Sequence, residues 1–144
     1  MKVFLTLSAL LLAAPQAATR SVEVCPTLPA DSNAQWTYSE GPDFDVCYAH
    51  EPSSDEIVFG IYLGNHPSFH PKRADRIGKG RVGGIRVVWY KRDPDDTNAA
   101  FSRQTLLTLG PEMGYMAHLW VAADTEQHLH DRLSVLERIR FKSP

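Results

Sequence analysis

The chain has 144 residues, 22% of them charged, and a formal net charge of −2, which fits one globular domain with a single core. This near-neutral balance excludes a uniformly basic coat of the kind that binds nucleic acid. No low-complexity tract or internal repeat appears, and no apolar run is long enough to cross a membrane.

The first residues have the pattern of an export signal. Met1 and Lys2 give a short positive start, residues 3–14 form an apolar run, and small residues follow Pro15. The run is shorter than the roughly 20 residues that a membrane span needs. We therefore predict a signal peptide over residues 1–18, with its cleavage site left open, and a periplasmic or secreted protein.

Two cysteines follow, one in a Pro- and Ala-rich stretch that we interpret as an extended lead-in over residues 19–35. Export into an oxidising compartment favours a disulfide between Cys25 and Cys47. The alternative is a reactive thiol, although neither cysteine belongs to a CxxC motif. A bridge would attach the lead-in to the first half of a single α+β domain, which we place at residues 36–144.

Alternating apolar and polar residues predict strands along most of that domain. Residues 36–40 could begin the first, and Gly41 and Pro42 then break the chain. Further segments with strand character are residues 44–49, 57–63, 82–90, 101–109 and 114–123. Short turns between most of them favour antiparallel pairing. We expect a mainly antiparallel sheet of about five strands.

The end of the chain predicts a helix. Asp124 can cap it and Gln127 stands three residues later, as in a capping box. Apolar residues then recur at helical spacing and line one face: Leu129, Leu133, Leu136 and Ile139. This helix is expected to pack on one face of the sheet, which gives the α+β class.

The segment HLWVAAD leads from the last strand into that helix. A strand meander that ends in such a helix is similar in outline to small domains of the PsbP-like kind. The resemblance concerns architecture only and implies no activity, because a fold does not determine a function.

Six histidines raise the question of a metal. His66 and His70 have the spacing of the histidines in zinc-binding HExxH helices, but Pro67 stands where that motif has Glu, and Pro71 disfavours a helix at His70. We expect no cofactor. The alternative is a metal-dependent enzyme that uses His66, His70 and perhaps His118, a residue that more simply fits a satisfied histidine among apolar neighbours.

Positive charge is concentrated in one segment. Residues 72–92 hold eight Lys or Arg and one acid, whereas residues 21–71 hold eight acids and neither Lys nor Arg. The stretch RIGKGRVGG combines glycines with cations, which suits contact with an anion. We predict a long polar loop over residues 64–81 as the binding surface. Its candidate contacts are Asn65, His66, His70, Arg73, Arg76, Lys79 and Arg81.

These patterns favour a small exported, non-enzymatic binding or accessory protein. Its basic loop would contact an acidic protein or an anionic component of the envelope, and neither nucleic acid nor a membrane span after signal removal is expected. No GxSxG motif marks a nucleophile. Two alternatives remain open: an inhibitor or immunity protein for an exported enzyme, and the metal-dependent enzyme described above.

Overall fold

A computed structural model of the chain describes residues 20–92, 100–111 and 114–142. The predicted signal peptide, residues 1–18, lies outside these ranges, and so do residues 93–96, whose sequence predicts a turn. The described residues form one antiparallel sheet and one helix. The elements are β1 (Gln35–Glu40), β2 (Phe44–His50), β3 (Ile57–Gly64), β4 (Arg76–Val82), β5 (Ile85–Lys91), β6 (Arg103–Gly110), β7 (Tyr115–Val121) and α1 (Glu126–Arg138).

The α+β class is confirmed, but the sheet has seven strands rather than about five. The strand order is β1-β2-β3-β7-β6-β5-β4. The first three strands form one half, the last four form a meander, and β3 pairs with β7 at the centre. This order places the acidic first half of the chain and its basic middle at opposite edges.

The prediction of a loop over residues 64–81 is wrong at its C-terminal end. Strand β4 occupies residues 76–82 and pairs with β5 across Gly83 and Gly84. Both glycines have positive φ, 56° and 79°, as a two-residue hairpin turn requires. This strand was not predicted because glycines and cations have weak strand propensity. The true loop covers residues 65–75 and contains a short 3₁₀ turn, Arg73–Asp75.

The main core lies between the sheet and α1. Alternate residues of the central strands, such as Phe59, Ile61 and Leu119, are fully buried there. Helix α1 packs against β4 and β7 and contributes Leu129 and Leu136 to this core. The amphipathic helix predicted from the spacing of its leucines is therefore confirmed.

The cap of α1 differs from the prediction. Thr125, not Asp124, caps the helix, because its hydroxyl accepts a hydrogen bond from the His128 amide at 3.1 Å. Asp124 instead accepts a hydrogen bond from Nδ1 of His128 at 2.5 Å. That contact lowers the pKa of the Asp124 carboxyl. Gln127 does not close a capping box and donates to Asp131 at 2.9 Å.

The β4–β5 hairpin is attached to the rest of the sheet at few points. Strand β5 has two register pairs with β6, Tyr90 with Gln104 and Lys91 with Arg103. Beyond them the hydroxyl of buried Thr105 donates to the Val88 carbonyl at 2.7 Å. At the hairpin tip, the Gly83 amide donates to the Leu136 carbonyl of α1 at 2.9 Å.

The predicted disulfide between Cys25 and Cys47 is present, and both residues are buried. It ties the segment before β1 to the helix side of β2. Thr27 also forms an isolated bridge with Arg140, and the Trp36 indole donates to the Pro26 carbonyl at 2.7 Å. The N-terminal segment thus closes one end of the core.

Removing the disulfide should destabilise this end without changing the fold class. The cysteines are 22 residues apart, so the bridge contributes about 3 kcal/mol by restricting the unfolded chain. We expect the double Cys25→Ala, Cys47→Ala variant to lose roughly that amount in urea unfolding followed by circular dichroism. Wild type under strong reductant should match the variant. A loss below about 0.5 kcal/mol would contradict the structural role.

Candidate functional site

The strand register places the predicted basic residues on one face of the sheet. In the β4–β5 hairpin Arg81 lies opposite Arg86, and Lys79 lies opposite Val88. These positions alternate with buried Trp89, which belongs to the core under α1. The cations therefore point away from the helix. This surface, here called the basic face, consists of Arg76, Lys79, Arg81 and Arg86.

The basic face is exposed to solvent. Arg81 donates to the Gly84 carbonyl at 3.1 Å, and within residues 20–92, 100–111 and 114–142 none of the four cations forms an ion pair. Arg73 is also exposed, in the 3₁₀ turn that precedes β4. Because these charges are not neutralised internally, they are available to an anionic partner, and their attraction should weaken as salt increases.

The remaining predicted contacts lie in the loop of residues 65–75. Asn65, His66 and His70 are exposed there, and the His66 amide donates to the Tyr62 hydroxyl at 3.2 Å. His70 lines an open cleft of about 530 Å³ together with Lys72. The predicted surface is thus divided between a loop and a strand that continues from it.

Among the described residues, no group of three or more His, Cys, Asp or Glu side chains is placed to hold a metal ion. His66 and His70 therefore lack a described third ligand. The alternative of a metal-dependent enzyme stays a prediction that metal analysis of the purified protein can check.

An aromatic layer occupies the centre of the sheet face that points away from α1, the face that also carries the cations. Phe69 reaches back from the loop, stacks on His118 with ring centroids 5.0 Å apart, and contacts Tyr90 edge-on at 5.7 Å. Phe69 is not among the contacts predicted from the sequence. An apolar residue between two histidine–proline pairs in a polar loop is the signal that could have identified it as an anchor.

Trp120 extends this layer across the sheet. Its ring lies 6.0 Å from Tyr48 and 5.5 Å from His118, and the Arg92 guanidinium lies 5.5 Å above it. Gly60 makes room for the ring, since a Cβ atom there would lie 2.1 Å from it. The aromatic half of the face is therefore partly covered by Phe69 and Arg92 and is half-buried, whereas the basic half is exposed.

Within this layer, the His118 ring has a hydrogen-bond partner. Its Nε2 lies 3.0 Å from Oε1 of Gln104, and because that amide oxygen can only accept, Nε2 carries the proton. Burial, with a smaller effect of Arg92, lowers the pKa of His118 to about 4. His118 is thus neutral at pH 7, and the geometry fits the satisfied histidine expected from its apolar neighbours.

The far edge of the sheet has the opposite electrostatic character. There the carboxylate of Asp45 is buried and accepts from the Tyr38 hydroxyl at 2.6 Å. Arg20 pairs with Glu40 at 3.0 Å and with Asp45 at 3.4 Å. Arg20 is therefore engaged by the acids of this edge.

Comparisons with known proteins identify no family for this chain. No protein-family model matches the chain, and searches of curated proteins and of solved structures gave no match. In the part of the chain that the structure describes, no helix is long and apolar enough to cross a membrane.

His118 should make stability depend on pH. Its folded pKa of about 4 lies below the ordinary 6.5, so between these values the unfolded chain binds more protons and acid favours unfolding. We expect this contribution, on the order of 2 kcal/mol after solvent screening, to be complete above pH 6.5 and lost as the pH falls toward 4. Urea unfolding at several pH values measures it.

The variant for comparison is His118→Gln, which keeps a donor for Gln104 and does not titrate. Its unfolding free energy should fall less than that of wild type between pH 6.5 and 4. His130→Gln, at a side chain that is 79% exposed, serves as the control and should follow wild type. If the His118→Gln profile also follows wild type, the result would contradict a half-buried His118 that stays neutral in the folded state.

Proposed function

We propose that this chain is an exported, non-enzymatic binding protein that uses its basic face to contact an acidic segment of a partner protein. The observation that carries the proposal is the alignment of Arg76, Lys79, Arg81 and Arg86 on one open sheet face without internal ion pairs among the described residues. Unpaired surface cations of one sign steer and hold anionic partners.

The location forms part of the same proposal. A disulfide between Cys25 and Cys47 is consistent with an oxidising, exported compartment. The apolar run of residues 3–14 supports export through a signal peptide. A partner met there would be a periplasmic or secreted protein.

The loop of residues 65–75 has a supporting role in the proposal. Phe69 anchors it to the aromatic layer, which positions Arg73 and the start of β4. Asn65, His66 and His70 lie at the rim of the contact rather than at its centre. The non-enzymatic character is supported by His118, whose neutral ring donates a hydrogen bond to Gln104.

Charge reversal on the basic face tests the proposal. We expect wild-type protein to bind immobilised poly-L-glutamate at low salt and the Lys79→Glu, Arg81→Glu variant to lose at least tenfold in affinity. Each removed contact to an anion typically accounts for a few-fold in affinity, and the introduced carboxylates add repulsion. Surface plasmon resonance at several salt concentrations gives the affinities.

The matched control is the Arg140→Glu, Lys142→Glu variant, which changes net charge equally at two exposed cations after α1 that do not belong to the basic face. It should retain most of the wild-type affinity. Equal losses in both variants would reduce the interaction to net charge and refute a specific basic face. Binding to phosphatidylglycerol vesicles but not to poly-L-glutamate would assign the surface to a lipid component and refute an acidic protein partner.

A further inference from the structure

None of the described strands lies beside the outer edge of β4. Strand β4 ends the sheet order and pairs with β5 alone among the described strands. An edge strand presents unpaired backbone N–H and C=O groups that can pair with an added strand. Such groups supply affinity in complexes where an extended peptide joins a sheet.

The charges on β4 select among possible added strands. Two β4 edges from two copies would bring Arg76, Lys79 and Arg81 against their own equivalents, and like charges placed opposite each other are destabilising. The β1 edge of a second copy offers no complement, because Gln35, Thr37 and Ser39, which are uncharged, share its corresponding face. Charge complementarity therefore favours an acidic segment of another protein.

The glycines of β4 have different explanations. At Gly80 a Cβ atom would lie 2.6 Å from the Trp89 indole nitrogen, so packing requires glycine. At Gly78 a Cβ atom would meet nothing within 4 Å, and its φ is not positive. Packing does not require glycine there, and the position adjoins a β-bulge between Arg76 and Gly78. Glycine inside a strand is typical of bulges and of places where another backbone approaches closely.

An open groove of about 610 Å³ lies along the β4–β5 hairpin. Its lining includes Lys79 and Arg81 on one sheet face, Gly80 and Val87 on the other, and Glu137 of α1. Arg86 and Val88 of β5 complete it. The face that carries Lys79 and Arg81, the cationic side, suits acidic side chains. The face that carries Gly80 and Val87, the glycine side, suits small apolar ones, and Glu137 also lines the groove.

We infer that β4 accepts an extended segment of a partner protein as an eighth strand of the sheet. Beyond the β-bulge between Arg76 and Gly78, acidic residues of this segment would face Lys79 and Arg81, and alternating small apolar residues would face Gly78 and Gly80. The inference rests on the proposed function, since it specifies how the acidic partner meets the basic face. It requires backbone pairing in addition to charge attraction.

Three peptides of equal charge separate these contributions. The first is an eight-residue peptide of alternating Glu and Val. The second has the same sequence with N-methyl groups on alternate residues, so that the backbone along one edge of the peptide cannot donate hydrogen bonds. It is made in two versions, one for each edge. The third has the same composition in two blocks, all Glu then all Val. Fluorescence anisotropy gives the affinities, and amide hydrogen exchange of residues 76–82 locates the contact.

The alternating peptide should bind at least tenfold more tightly than the blocked peptide and than one of the two N-methylated versions. It should also slow exchange within β4. Gly78→Leu should keep the fold, since the position borders open space, and should weaken the alternating peptide several-fold by filling the glycine side. Ser39→Leu, an exposed position on the opposite edge strand, is the matched control and should bind as wild type does.

Failure of this inference is distinguishable from failure of the proposed function. Equal binding of all peptides, with loss in the Lys79→Glu, Arg81→Glu variant, would overturn strand addition and leave the acidic contact standing. Protection of β1 instead of β4 would overturn it as well. No binding of any peptide or of poly-L-glutamate would overturn both.

Discussion

The pairing of β3 with β7 at the centre of the sheet constrains the rest of the molecule. These strands carry large apolar or aromatic side chains on both faces: Phe59 and Ile61 point toward α1, and Tyr62 and Trp120 point away from it. A single helix can cover one face only. The opposite face needs a second cover, because exposed aromatic surface of this extent is costly in water.

The loop of residues 65–75 supplies part of that cover. Phe69 inserts between Tyr90 and His118, and Arg92 lies over Trp120. This arrangement explains the proline-flanked histidines in physical terms: they belong to a stiff loop whose apolar residue anchors it on the sheet. The cover does not extend over the β4–β5 hairpin, so the outer part of this face keeps its cations in solvent.

Sheet order converts a linear charge pattern into a spatial one. The acidic first half of the chain forms one edge, where Arg20 is engaged by Glu40 and Asp45. The basic segment forms the other edge, where Arg76, Lys79, Arg81 and Arg86 form no ion pair with a described residue. A sheet of seven strands separates these edges by roughly 30 Å at the usual strand spacing, well beyond the distance at which exposed charges interact at physiological salt. The two ends therefore act independently toward a partner.

Much of the fold could be predicted because its signals are local. Alternation marked the strands around Val46, Ile61 and Leu119, and helical spacing marked Leu129 and Leu136. Strand β4 was missed because its residues carry little local strand preference; pairing with β5 and the contact of Gly83 with α1 determine its conformation. The helix cap was predicted at Asp124 rather than at Thr125. Both residue types cap helices, and only the backbone geometry distinguishes two adjacent candidates.

The sequence by itself determined the fold class, the pairing of the two cysteines, the amphipathic helix and the concentration of cations in residues 72–92. Composition and spacing along the chain are sufficient for these. Only the tertiary structure decided that the cations Arg76, Lys79, Arg81 and Arg86 share one face, that Phe69 anchors their loop, and that β4 has a free edge. Those properties depend on strand register and strand order, which arise from contacts between residues far apart in the chain.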